Sequence, residues 1–179
     1  VSVRYIKSAA ELKDPDMIIL PGSKNTIGDL LWMRQNGLEA AILKQAAAGK
    51  TIMGVCGGYQ MLGETIADPL GVETGGEVRG MGLLPVDTVF EGEKMRTRVE
   101  GTLYLGDSLK TQGYEIHMGQ STLKEGARPL QHITDSVSGK SKDDGAYADN
   151  VYGTYMHGVF DAPGIAEAVV SALGKKKGI

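Results

Sequence analysis

The one cysteine of the chain, Cys56, stands in the run Gly54-Val55-Cys56-Gly57-Gly58-Tyr59-Gln60. An apolar stretch, residues 51–55, leads into it, and a helix-like stretch, Tyr59 to Ile66, leads away. Strand, sharp turn and helix, with a thiol at the turn, is the geometry of a nucleophile elbow in which Cys replaces Ser. Such a turn crowds its own backbone two residues to either side of the nucleophile, and Gly54 and Gly58 fill those places. The start of a helix also presents unpaired N–H groups and the positive end of its dipole, so the thiol is expected to be more acidic than a free cysteine.

A cysteine nucleophile needs a base, usually His, near it in space. His157 follows a predicted strand, and His117, in Gly113-Tyr114-Glu115-Ile116-His117, is the second candidate. His132 adjoins a polar stretch and reads as a surface residue. Acyl transfer further needs donors for a developing oxyanion. The N–H of Gly57 is one, and the Pro21-Gly22-Ser23 turn, which closes a buried strand, offers others at Gly22 and Ser23. One Cys and scattered His do not make a structural zinc site, and no metal is expected. Gly49-Lys50-Thr51 and Gly139-Lys140-Ser141 imitate the end of a phosphate-binding loop, but the Gly required five residues earlier is replaced by Lys44 and Thr134.

These groups must be carried by regular elements. Val1 to Tyr5 and Met17 to Leu20 read as short buried strands. Asn25 to Gln35 and Leu38 to Ala48 read as helices, with Gly49 capping the second. With the elbow, the order becomes strand, helix, strand, helix. This predicts an α/β fold with an open, mostly parallel sheet flanked by helices. Active groups of such sheets gather beyond the strands' carboxyl ends, where Cys56 and His157 would both lie. Residues 68–80 read as a Gly- and Pro-rich loop, and residues 81–123 as an antiparallel extension. Residues 131–146 read as an exposed loop, Val151 to Met156 as a last strand ending at His157, and Pro163 to Leu173 as a closing helix with a solvated lysine tail.

At 179 residues the chain is expected to form one domain. A net charge of −3 gives no general attraction to nucleic acid or to anionic membrane. No apolar run reaches the roughly 20 residues that span a bilayer. The opening residues lack a secretory pattern, and a lone thiol suits a reducing compartment, so a cytoplasmic location is expected. The chain opens at Val1 on an apolar segment, which leads us to expect a piece of a longer protein.

The elbow together with a late strand ending in His157 resembles the class I (triad) glutamine amidotransferases. Four blocks are more specific: Leu20-Pro21-Gly22-Ser23-Lys24-Asn25-Thr26, Cys56 to Gly63, Gly113 to Gly119, and Tyr155 to Asp161. Together they resemble the C-terminal amidotransferase domain of the cobyric acid synthase family, from about Val3 to the final helix. The resemblance implies a flavodoxin-like arrangement and a role for each matching residue. Cys56 would attack the side-chain amide of glutamine, with His157 as base and later proton donor. The N–H groups of Gly57, Gly22 and Ser23 would hold the oxyanion. Gln60 would help hold the substrate, and Tyr114, Glu115 and His117 would line the pocket. Triad members orient the catalytic His with a Glu two residues on, where this chain has Val159, so Asp161 and Glu115 are the candidate orienters.

The resemblance also implies partners. Glutamine would be the substrate, and its ammonia would pass to an N-terminal synthetase domain of the same longer chain. That domain would bind ATP, magnesium and the corrinoid adenosylcobyrinic a,c-diamide. No cofactor is expected on this segment itself, and the fold's first strand is expected to lie outside it. Three rivals remain: the amidotransferase domain of the related cobyrinic a,c-diamide synthase, against which the Pro21-to-Thr26 turn argues; a non-catalytic domain that kept the fold; and a peptidase or other Cys-His hydrolase, which glutamine-dependent release of ammonia would separate.

Overall fold

A computed structural model describes residues 1–105 and 107–179; Gly106, inside the expected antiparallel stretch, lies outside the described residues. A short helix, α1 (Ala9–Leu12), precedes strand β1 (Met17–Leu20). Helices α2 (Thr26–Gln35) and α3 (Leu38–Ala47) follow, then β2 (Thr51–Val55) and α4 (Gly57–Leu62). Strands β3 (Thr65–Asp68), β4 (Gly76–Arg79), β5 (Val86–Leu105), β6 (Asp107–Leu123), β7 (Gln131–Asp135) and β8 (Ser141–Asp144) come next. The chain closes with β9 (Ala146–Ala148), β10 (Val151–Thr154), β11 (Met156–His157) and α5 (Ile165–Lys177).

Strands β1, β2 and β10 lie side by side and parallel, with β9 antiparallel at one edge. Alternation along β2 assigns its side chains to opposite faces. Ile52 joins Ile18, Leu20 and the apolar sides of α2, α3 and α4 in one core, while Met53 joins Val159 and Ile165 in another at the start of α5. The parallel sheet is thus covered on both faces, as such sheets require. A second sheet runs β11-β6-β5-β3-β4, and β7 with β8 extends it from β5. Every pairing in it is antiparallel except that of β3 with β5. Among the described residues, no helix is long and apolar enough to cross a membrane.

Several expected elements differ. Residues 1–5 form no strand, because nothing pairs with them, and Val1, Val3 and Tyr5 are exposed. The helix after Cys56 stops at Leu62, where the chain turns into β3. β4 lies inside the stretch read as a loop. Residues 131–146, read as a loop, hold strands β7 and β8, joined by a turn. Their inward-facing side chains include Gln131 and Asp144, which are buried and bonded to each other at 2.8 Å, so a polar pair stands where apolar alternation would have marked a strand. The closing lysines are not a free tail: α5 extends to Lys177, whose ammonium pairs with Asp16 at 3.0 Å.

Candidate active site

Because β1, β2 and β10 are parallel and in register, their carboxyl ends coincide: Leu20 lies beside Gly54, and Thr154 beside Val55. The three segments that leave these ends carry Gly22 and Ser23, Cys56, and His157. The Cys56 N–H donates to the Thr154 carbonyl at 2.8 Å, which locks the elbow to β10. Cys56 has φ 52° and ψ −110°, a left-sided conformation that costs energy in a residue with a Cβ. Close packing enforces it. A Cβ on Gly54 would lie 2.6 Å from the Gly58 carbonyl carbon, and one on Gly58 would lie 2.1 Å from the Leu20 oxygen. On the same helix, the ring of Tyr59 rests against Gly153 of β10, where a Cβ would come within 2.1 Å of it.

Gly22 is wedged between the two reactive side chains. A Cβ there would stand 3.7 Å from Cys56 Cβ, 3.2 Å from His157 Cε1 and 3.9 Å from His157 Nδ1. Gly57 packs equally tightly against Ser23, whose N lies 2.9 Å from the position a Cβ would take. The Ser23 hydroxyl is turned aside toward Asp29 and accepts from the Asn25 N–H at 2.9 Å. The Ser23 N–H has no protein acceptor among the described residues. The Gly57 N–H, next in the chain, favours the ionised form of the sulfur. Two backbone donors therefore flank one nucleophile, with an imidazole beside it.

Cys56 is 7 % exposed, and its thiol donates to the Ile116 carbonyl at 3.4 Å. Burial pushes the Cys56 thiol above its ordinary value, and the Gly57 N–H pulls only partly the other way. The expected acidic thiol is not what the resting structure shows: desolvation outweighs a helix start of six residues. The charge of Glu73 raises the thiol further, while Lys94 opposes it.

Glu73 had no signal in the sequence. Its two carboxylate oxygens accept from the Thr26 and Ile27 N–H groups at the start of α2, each at 3.0 Å. Asp68 sets its position. This fully buried carboxylate accepts from the N–H groups of Val72, Glu73 and Gly75 at 2.7 to 2.9 Å. Burial works against ionisation of Asp68, but those N–H groups win and hold its carboxyl below the usual range.

The remaining expected residues divide into two groups. Tyr114 is 54 % exposed and pairs in register with His157, so both face one side of their ladder. Glu115 and His117 alternate to the other side. There Glu115 is paired with His117 at 2.7 Å and with Lys142 at 2.6 Å, and it does not reach His157. No hydrogen bond joins the Asp161 carboxylate to His157 either; it lies near Gly158, 3.1 Å from where that residue's Cβ would be. Gln60 is buried one helical turn beyond Cys56. Its amide oxygen faces the Thr26 hydroxyl at 3.4 Å, and its nitrogen donates to the Tyr155 hydroxyl at 3.2 Å. Burial raises Tyr155 to about 12, so that hydroxyl stays protonated. His132 is exposed, as expected, and pairs with Asp143.

Comparison with known proteins gives the chain's family and agrees with its fold. The CobB/CobQ-like glutamine amidotransferase domain family matches residues 1–165. Cobyric acid synthase of Ruminiclostridium cellulolyticum is 54 % identical over 187 residues, which cover 99 % of this chain and 36 % of that protein. Cobyric acid synthase of Lachnoclostridium phytofermentans is 49 % identical over 199 residues, covering 100 % of this chain and 38 % of that protein. The chain therefore spans little more than a third of the length of these curated relatives. Among solved structures, a glutamine amidotransferase crystal structure superposes with a TM-score of 0.65 at 15 % identity, over 100 % of this chain and 88 % of that one. PurLQS from Thermotoga maritima superposes with a TM-score of 0.65 at 21 % identity, over 90 % of this chain and 82 % of that one. At those identities the superpositions speak for the fold.

Proposed function

Because this chain belongs to the CobB/CobQ-like glutamine amidotransferase domain family, we propose that it is the glutaminase portion of a cobyric acid synthase and works through a Cys56 thioester. The observation that carries this reading is Gly22, where an added Cβ would meet both Cys56 and His157, and which leads directly to the free Ser23 N–H. His157 takes the thiol proton, and the sulfur attacks the side-chain amide carbon of glutamine. The carbonyl oxygen, now negative, is held by the N–H groups of Gly57 and Ser23. Collapse of the adduct breaks the C–N bond, and the proton on His157 leaves with ammonia. Water then cleaves the γ-glutamyl thioester, giving glutamate and the free thiol. The Glu73 carboxylate, which has no cationic partner among the described residues, suits the substrate's α-ammonium.

In the longer protein the ammonia would pass to a synthetase portion that uses ATP and magnesium to amidate side-chain carboxylates of adenosylcobyrinic a,c-diamide, in the cytoplasm. What supports this is the identity of about half the residues to cobyric acid synthases across nearly the whole chain. The test is glutamate release by the full-length protein with ATP and the corrinoid. Cys56→Ala should abolish glutamine-dependent amidation while leaving amidation from free ammonia. Undiminished glutamine use by Cys56→Ala would sink the thioester and favour a non-catalytic domain. Amidation of cobyrinic acid itself, in place of its a,c-diamide, would move the assignment to the related diamide synthase.

A further inference from the structure

We infer that the buried Glu115–His117 pair is a positioning device for the reaction proposed above, on which this inference rests: it holds the Ile116 carbonyl against the Cys56 thiol and the Tyr155 hydroxyl against Gln60. Glu115 and His117 are 1 % and 8 % exposed. His117 Nδ1 lies 2.6 Å from the Gly119 carbonyl, and Nε2 lies 2.7 Å from Glu115 Oε1. Each ring nitrogen is thus engaged by an oxygen atom, one on the backbone and one on a side chain, which fixes the ring in place. Burial disfavours the ionised Glu115, but hydrogen bonds from His117 and Lys142 more than offset it and hold the carboxyl below its usual range. Lys142 closes the pair from the solvent side at 2.6 Å.

A buried carboxylate held in a salt bridge is a poor way to gain stability, because apolar residues of the same volume commonly serve as well. Here one carboxylate oxygen, Glu115 Oε2, is buried with no partner among the described residues, which adds a further cost. The pair's position supplies a reason for keeping it. Ile116 lies between its two members, and its carbonyl is the acceptor of the Cys56 thiol. Pinning the side chains on either side fixes that peptide. Strand pairing sets Ile116 opposite Arg96, but just beyond it the β5–β6 ladder slips register between Phe90 and Met95, the partners of Gly119 and His117. The bond from the His117 ring to Gly119 spans the slip.

The second arm runs through Tyr155. The His117 ring stacks on it, with centroids 3.7 Å apart and planes 13° from parallel. The Tyr155 hydroxyl receives Gln60, one helical turn beyond Cys56. Neither Glu115 nor His117 need touch glutamine; both act through Ile116 and Tyr155.

The test uses the full-length protein and two reagents that attack Cys56. The glutamine analogue 6-diazo-5-oxo-L-norleucine requires an aligned site; iodoacetamide requires only an accessible thiol. Glu115→Gln and His117→Ala should each slow labelling by the analogue about tenfold or more, the scale of a modest misplacement, while iodoacetamide labelling stays near the wild-type rate. Labelling by the analogue at the wild-type rate in Glu115→Gln overturns the inference, as does an equal change with both reagents, which would mark general loosening. If His117→Ala fails to fold, the near-isosteric Glu115→Gln decides alone. A wild-type protein that the analogue does not label removes the amidotransferase reading itself, and this inference with it.

Discussion

The carbonyl oxygen of Leu20 sits 2.1 Å from the point where a Cβ on Gly58 would be. No side chain fits there, and the obstacle is backbone at the carboxyl end of β1, which its pairing with β2 keeps from swinging aside. Gly58→Ala should therefore push α4 off the end of β1 and take the thiol with it. The stability loss should be about 1–3 kcal/mol, as for other overpacked interiors, and the glutaminase loss about a hundredfold or more. Denaturant melts and glutamate release would check this. A Gly58→Ala protein with normal stability and activity would mean that the elbow is built otherwise.

Cys56 should behave as a reluctant thiol until substrate arrives. Burial raises its pKa above the ordinary value of 9.0, so the thiolate fraction at pH 7 is smaller than for a free cysteine. The iodoacetamide rate for the unliganded chain should climb through pH 9 and level off only above it. A plateau near pH 7 would show instead that the helix start and His157 govern the thiol.

The sequence made the elbow readable because its requirement is local: a turn this tight excludes side chains at Gly54 and Gly58, and the glycine spacing records that. The parallel strands were readable for a similar reason, being continuous apolar runs that end together. β7 and β8 were hidden because Gln131 and Asp144 satisfy each other inside the protein, along with Thr111 and Thr154, where apolar residues would have shown alternation. Glu73 left no pattern because its partners are backbone N–H groups. The acidity of Cys56 was misjudged because burial is a property of the assembled site, not of its motif.

His157 should work without help from either suggested carboxylate. Asp161 makes no bond to it, and Glu115 faces the opposite side of the β6–β11 ladder. Asp161→Ala should leave glutaminase activity of the full-length protein near normal. Glu115→Ala should lower it, but by disturbing His117 and Ile116, so that the pH profile keeps its shape. A large loss of activity with a shifted acidic limb in Asp161→Ala would identify Asp161 as the orienter after all.

Asp68 should matter beyond its own loop. It receives three backbone N–H groups and thereby delivers Glu73 to the start of α2. Asp68→Ala leaves those donors to partial rehydration, at a cost of about 2 kcal/mol. It should also raise the KM for glutamine, because a displaced Glu73 no longer faces the ammonium group. The KM effect separates this role from simple loop stabilisation: an unchanged KM in a destabilised Asp68→Ala protein would remove Glu73 from substrate recognition.

Asp135 gives a pH test far from the chemistry. Its carboxylate accepts from the Thr97 hydroxyl at 2.5 Å and from the Ser138 and Val137 N–H groups at 3.0 and 2.7 Å, which tie β7 to β5 and close the turn into β8. These bonds lower its pKa from 3.8 to about 2. A depressed folded-state pKa means stability that is fully present above pH 3.8 and lost as the pH falls toward 2. The β7–β8 turn should therefore loosen first in acid, read as faster hydrogen exchange at Val137 and Ser138 between pH 4 and 2 after correction for the intrinsic rate. Asp135→Asn keeps an acceptor without the charge, so its turn should exchange faster at neutral pH and show no extra acid dependence. An Asp135→Asn protein whose turn opens with the same acid midpoint as the wild type would assign the transition to another group.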